Sequence, residues 1–249
     1  MSQRGNTFAS TETAGALAHG TLDPFVGLRP CFLADGIALY HGDCRKILPL
    51  LKVDVIISDP PYGIRYSPGG GGRGWTKKAF TGKDIIVGDN VPFDPAPFLS
   101  FRKVALFGAN HYSDRVPGGP GWVVWDKKRP GLVNSFSDCE LIYTSRRCPA
   151  RMFRHLWNGC MKASECGVRR LHPTQKPVAL MEWLIDFLSV DAGEIICDPF
   201  CGVGSTLVAA RNKGRRAIGI EIEERYIERT IARLTAKQPN NQYLVGRVT

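Results

Sequence analysis

Apolar residues along this chain come in short dense runs, and longer stretches at helical spacing lie between several of them. The dense runs are 37–41, 53–58, 104–108, 122–125, 140–143, 194–197 and 216–220. Val53-Asp-Val-Ile-Ile-Ser58 is typical: it is apolar at odd and even positions alike, as a strand buried on both faces of a parallel sheet must be. Each run predicts a strand. Val178, Leu180, Met181, Leu184, Ile185 and Leu188 recur at helical spacing and predict a helix after Pro177. Further helices are expected over 205–212 and over 222–235, where Tyr226, Ile227, Ile231 and Leu234 share a side. A short one over 45–51 contains Pro49, which works against it. Strands alternating with helices predict an α/β chain with a mostly parallel sheet.

Three stretches have neither period. Residues 1–30 read as an irregular or disordered lead-in, rich in Ser, Thr, Gly and Ala at the start and without the apolar core of a secretory signal. Residues 31–249 then form a single domain. Within it, 64–90 is Gly- and Lys-rich, with glycine at every position from 69 to 72, and reads as a mobile loop. Residues 145–170 are basic and irregular and read as an insertion. No apolar run reaches the roughly 18 residues a membrane span needs, so no membrane partner is expected and the location is read as cytoplasmic.

Charge narrows the partners. The chain carries a net charge of +10, and a basic globular protein often meets a polyanion. Arg65, Arg73, Lys77, Lys78 and Lys83 cluster in the Gly-rich stretch; Arg146, Arg147, Arg151, Arg154, Lys162, Arg169 and Arg170 cluster in the insertion. Tyr66, Trp75, Phe80, Phe153 and Trp157 are interleaved with them. Guanidinium groups for phosphates beside rings for stacked bases suit nucleic acid. The eight cysteines are read as reduced thiols. Cys148, His155, Cys160, Cys166 and His172 lack any C-x₂-C pair, and no metal site is expected.

Four acids, Asp43, Asp59, Asp198 and Glu221, each follow a predicted strand. Ligands of open α/β sheets bind beyond the carboxyl ends of the strands. A single acid there could simply cap the next helix; four together point to a site. Gly202 and Gly204, in Asp198-Pro-Phe-Cys-Gly-Val-Gly-Ser-Thr206, permit a tight turn that brings backbone close to a ligand. Glu221 follows the next strand, where nucleotide folds place an acid on a ribose hydroxyl. Position 207 is Leu where a dinucleotide fingerprint has its third glycine, and no G-x-x-x-x-G-K is present. An adenosine-bearing cofactor without a pyrophosphate, such as S-adenosylmethionine (SAM), fits better. In Asp59-Pro60-Pro61-Tyr62 the prolines fix the backbone and remove two N–H donors. A carboxylate, a carbonyl and an aromatic ring remain, a set that accepts hydrogen bonds from an amine and stacks on a flat ring.

With both motifs in hand, and the clamp preceding the turn, the chain resembles the permuted β-type DNA amino-methyltransferases that modify N6 of adenine or N4 of cytosine. The resemblance runs from about residue 35 to 235. It implies a mostly parallel, seven-stranded, Rossmann-like sheet with helices on both faces, and SAM as cofactor. It implies a catalytic role for Asp59, Pro60, Pro61 and Tyr62. It assigns the cofactor to Asp43, Cys44, Lys176, Pro177, Asp198, Pro199, Phe200, Cys201, Gly202, Gly204, Ser205, Thr206, Glu221 and Ile222. DNA is the implied partner, with Arg65, Arg73, Lys77, Lys78, Arg146, Arg147, Arg151 and Arg154 as candidate contacts and 145–170 as a short target-recognition region. Asp59, where many cytosine enzymes carry Ser, favours adenine over cytosine. Cysteine-based methylation of a ring carbon is rejected, because Asp stands where the nucleophile would be. An inactive DNA-binding module and an RNA or protein-amide substrate are the remaining rivals. The recognition sequence, a homodimer and a restriction partner are left open.

Overall fold

A computed structural model describes residues 28–66, 86–119, 121–133, 137–158 and 161–236. The expected lead-in up to residue 27, the glycine run, Arg73, Trp75, Lys77, Lys78, Phe80, Lys83 and Cys160 lie outside the described residues.

The chain runs β1 (Phe32–Ala34), β2 (Ile37–His41), α1 (Cys44–Ile47), β3 (Val55–Ser58), α2 (Ala96–Leu99), β4 (Lys103–Phe107), β5 (Trp122–Asp126), β6 (Cys139–Thr144), β7 (Arg151–Arg154), β8 (Trp157–Asn158), β9 (Met161–Lys162), α3 (Val178–Phe187), β10 (Ile195–Asp198), α4 (Ser205–Asn212), β11 (Arg216–Glu221) and α5 (Glu224–Thr235). The seven expected strands are β2, β3, β4, β5, β6, β10 and β11. Pro49 does interrupt the helix expected over 45–51, which continues as a 3₁₀ turn at Leu48–Leu50.

The main sheet has nine strands in the order β1-β2-β11-β10-β3-β4-β6-β5-β7. The seven expected strands form its middle, and β1 and β7 extend the edges. β2, β11, β10, β3 and β4 are mutually parallel; β6 runs antiparallel to both β4 and β5. The core alternates across the sheet as a pleat requires. Leu39, Val55 and Ile57 face Leu184, Leu207 and Ile227 of α3, α4 and α5, whereas Tyr40, Ile56 and Leu106 face Ile47 of α1 and Phe98 of α2.

The stretch 145–170 holds more regular structure than expected. β7 joins the main sheet beside β5, and β8 and β9 form a hairpin. β7 reads as irregular because Arg151, Met152 and Arg154 are all exposed and only Phe153 packs inward; an edge strand with one inward residue has little apolar period to show. Among the described residues no helix is long and apolar enough to cross a membrane.

Strand order sets the site. After β3 the chain builds outward through β4, β6, β5 and β7; α3 then returns it to β10 on the other side of β3. β10 pairs with β3 in parallel, Ile196 opposite Val55 and Cys197 opposite Ile56. Connections leave these two strands toward opposite faces, and the crevice between them is the sheet's topological switch point.

Candidate active site

At that crevice the two motifs meet. Asp59 follows β3 and Asp198 ends β10, so residues 139 positions apart in sequence close one wall. They are tied by hydrogen bonds: Ser58 Oγ donates to Asp198 Oδ1 at 2.6 Å, Thr206 Oγ1 to Asp198 Oδ2 at 2.6 Å, and Phe200 N to Oδ1 at 3.2 Å. Burial pushes the Asp198 carboxyl up to about 6, against the lowering effect of its three donors. Asp198 therefore holds the turn to β3.

The turn itself is built as the glycines require. Gly202 and Gly204 both have left-handed backbones, φ 52° and 73°. A Cβ on Gly204 would lie 2.6 Å from Thr230 Cγ2, so α4 starts pressed against α5. Thr230 Oγ1 donates to the Gly202 carbonyl at 2.9 Å. Glu221 accepts from Gly202 N and from Glu223 N, each at 2.8 Å. Burial raises its carboxyl to about 7. Asp43 sits at the next strand end, since β2 pairs with β11 and His41 lies opposite Glu221. It caps α1 and is held by Arg45, whose Nη2 lies 2.6 Å from Oδ2; that partner keeps the carboxyl below its ordinary value.

Across the crevice the Asp59 carboxylate accepts from Tyr62 Oη on one oxygen and from Lys176 Nζ, at 2.5 Å, on the other. Lys176 was expected at the cofactor through the motif it belongs to. Its ammonium is instead committed to Asp59, and its carbonyl meets the turn, accepting from Ser205 Oγ at 2.8 Å. The Tyr62 ring stacks on His111, centroids 5.1 Å apart and 17° from coplanar. Gly108, with φ 67°, has no Cβ because the Tyr62 ring occupies that position.

Several residues the sequence did not single out complete the site. Asp89, 4% exposed, receives Gly63 N at 2.8 Å, Ile64 N at 3.2 Å and Tyr66 N at 2.6 Å. It fixes the chain directly after Tyr62. Its only signal was an Asp beside Gly88 at the end of a basic stretch. Glu140 was visible as the one acid in an otherwise apolar strand.

These groups line one cleft of 2330 Å³. That exceeds the ~300–1,000 Å³ of a usual small-molecule pocket, leaving room for more than one nucleoside-sized group. Asp43, Cys44, Asp59 to Tyr62, Lys176, Asp198 to Gly202, Ser205, Thr206, Glu221 and Ile222 are all on its wall. Gly204 and Pro177 lie behind it.

The basic residues divide. Lys162, Arg169 and Arg170 line the cleft, with Lys162 Nζ and Arg170 Cζ 5.0 and 5.3 Å from the Trp157 ring. Arg65 is exposed between Ile64 and Tyr66, whose amides Asp89 holds, and Arg154 is exposed beside Asp126, 3.7 Å away. Arg146 and Arg147 correct the sequence reading. β6 is antiparallel, so its C-terminal end and both arginines lie at the opposite edge of the sheet, where the Arg146 guanidinium donates to Phe187 O and covers the Phe187 ring. Arg151, opposite Val123 in β7, also starts from that side.

The comparisons decide the family. The DNA methylase profile matches residues 124–233. YubD of Escherichia coli (strain K12), a methylase by description, is 48% identical over 221 residues, spanning 80% of this chain and 90% of its own. The chain belongs to the N6/N4 DNA methylase family. Membership makes it a SAM-dependent DNA methyltransferase. The type II methyltransferase M.ScaI of Streptomyces caespitosus is 24% identical over 261 residues, 84% of each chain. The fold is also that of the PvuII DNA methyltransferase (cytosine-N4-specific), with a TM-score of 0.57 at 13% identity over 86% of this chain and 91% of that one.

The residues present fit SAM. Left-handed glycines leave the turn open to close backbone approach, and two acids, Asp43 and Glu221, stand at adjacent strand ends on the cleft wall, at the edge where open α/β sheets bind nucleoside ligands. Asp59 faces them across the switch point.

Proposed function

We propose that this methyltransferase acts on the exocyclic N6 amine of adenine, presented as a base flipped out of DNA. The observation that carries the reading is Asp59: a carboxylate, not a hydroxyl, at the head of the proline clamp. The amine is a poor nucleophile because its lone pair is delocalised into the ring. Asp59 accepts one N–H and the Pro60 carbonyl the other, which favours a tetrahedral nitrogen with a directed lone pair. Pro61 holds that carbonyl in place, and Tyr62, anchored by Gly108 and Asp89, offers its ring as the stacking platform for the base. Bound SAM supplies an electrophilic methyl group on a sulfonium. Asp43, Glu221, Ile222 and the backbone from Pro199 to Ser205 hold the cofactor, with Asp198, Thr206 and Gly204 shaping the turn and Cys44 and Pro177 at its flanks. Positioning two reactants in this way provides much of the rate.

For DNA, Lys162, Arg169 and Arg170 on the cleft wall, with the exposed Arg65 and Arg154, take the phosphate role. Arg146 and Arg147 do not.

Asp59→Ala should abolish transfer and leave SAM binding intact. The deciding assay is incubation with SAM and unmethylated DNA, followed by nucleoside mass spectrometry. N6-methyladenine is the expected product; N4-methylcytosine would overturn the choice of base while keeping the clamp.

A further inference from the structure

Asp59 does not face Lys176 alone. Lys176 Nζ, 5.2 Å from the Phe107 ring centroid, also lies 3.3 Å from Glu140 Oε2, and Lys127 Nζ lies 2.7 Å from Glu140 Oε1. Asp59, Lys176, Glu140 and Lys127 thus form a row of alternating charge from β3 through the segment before α3 to β6 and β5. The Lys176 and Asp59 side chains are 6% and 16% exposed. Such a pair, left to itself, would bind Asp59 into a closed ion pair whose lone pairs are spent on the ammonium. A target amine could then gain little from it.

We propose that Glu140 is a positioning residue for methyl transfer, sharing Lys176 so that the Asp59 carboxylate stays available to the target amine. The inference rests on the assignment of Asp59 as the amine acceptor. Lys176 keeps the buried carboxylate ionised; Glu140 keeps Lys176 from saturating it; Lys127 sets how strongly Glu140 pulls. The directions of the shifts agree. Burial raises the Asp59 carboxyl, Lys176 opposes this and Glu140 adds to it, leaving it above its ordinary value. Burial also acts to raise Glu140, but Lys176 and Lys127 outweigh it and hold the carboxyl low. Lys176 is held high by its two carboxylates in spite of burial. The other ionisable groups facing Asp59 are Tyr62, which hydrogen-bonds to it, Tyr112 and Asp198, with His111 on the far side of the Tyr62 ring.

The test reads the titration of Asp59 by carboxyl ¹³C NMR in the full-length protein without SAM, beside kcat against pH in the methyl-transfer assay. Glu140→Gln keeps the shape and removes the charge. It should lower the Asp59 midpoint by about one unit and shift the acid limb of kcat equally. At neutral pH kcat should fall severalfold, by up to about tenfold, as Asp59 loses acceptor strength, with KM for SAM unchanged. Lys127→Met should move the midpoint the opposite way, upward, because Glu140 is then free to draw Lys176 further from Asp59. Opposite shifts in the two variants support the proposal, and loss of packing could not produce them. Unmoved midpoints with wild-type kcat in Glu140→Gln would overturn it. If the midpoints move as stated while the wild type methylates neither adenine nor cytosine, the assignment of Asp59 to the amine falls and the charge coupling stands.

Discussion

Asp198 offers a sharp test of how the two motifs are joined. It was read from sequence as a cofactor residue, and its carboxylate is spent inside the protein instead. Asp198→Ala removes the acceptor for Ser58 Oγ, Thr206 Oγ1 and Phe200 N; Ser58 and Thr206 are each 0% exposed. An unmet buried donor costs about 1–3 kcal/mol, and a hydroxyl that finds another acceptor recovers part of it. Near pH 4, where the wild type buries no charge at this position, a net loss of about 3–5 kcal/mol is expected, which lowers the melting temperature by about 10 °C in a chain of this size.

Asp198→Asn should behave differently. Its oxygen can serve Ser58 and Phe200 N while its amide donates to a turned Thr206 hydroxyl, and it carries no charge to bury. The wild-type carboxyl titrates near 6 rather than 3.8. The folded state therefore holds this proton more tightly than the unfolded state. Stability from this group is present below about pH 4 and is lost as pH rises through 6, by about 3 kcal/mol in all. Asp198→Asn should melt at or above the wild-type temperature at pH 7 and lack that part of the slope between pH 4 and 6. The assays are thermal unfolding at several pH values and calorimetric SAM binding. An Ala variant melting within about 2 °C of wild type near pH 4, a difference of under ~1 kcal/mol, would refute the tie. An Asn variant that folds normally and cannot bind SAM would restore Asp198 as a direct ligand.

Other outcomes follow from the same geometry. Gly204→Ala meets Thr230 Cγ2 at 2.6 Å on a left-handed backbone and should cost about 2–4 kcal/mol; Gly214→Ala, with φ 60° and nothing within 4 Å, should cost only about 1 kcal/mol, as compared by thermal unfolding. Gly108→Ala should displace the Tyr62 ring, lowering kcat by about tenfold or more with SAM affinity unchanged in calorimetry. Glu221 accepts ribose hydroxyls more strongly as a carboxylate, and burial pushes its carboxyl up to about 7. SAM affinity should therefore weaken as pH falls below 7, by up to about tenfold per unit, and Glu221→Gln should flatten that dependence. Asp89→Ala frees three backbone N–H groups after Tyr62 and should raise KM for DNA while leaving SAM binding alone, read by steady-state kinetics and calorimetry.

What could be read in the sequence was what the backbone itself enforces. Strands buried on both faces announce themselves by apolar residues at every position, and the seven so marked are the middle of the sheet. The clamp and the turn were legible for a related reason: proline and glycine fix or free φ locally, so their meaning does not depend on distant partners. Direction is not encoded in that way. Period and composition are the same for a strand run up or down the sheet, so the reversal of β6 was invisible, and with it the placement of Arg146 and Arg147 at the wrong edge. Pairing across the sheet was equally hidden. Lys176 and Glu140 carry no local signal that they converge on Asp59, because the distance between them is set by strand order and by α3 returning the chain past β3. The same logic holds at Asp198: an acid at a strand end can face the ligand or the neighbouring strand, and its hydrogen bond to Ser58, brought alongside by the β3–β10 pairing, carries no signal in the sequence.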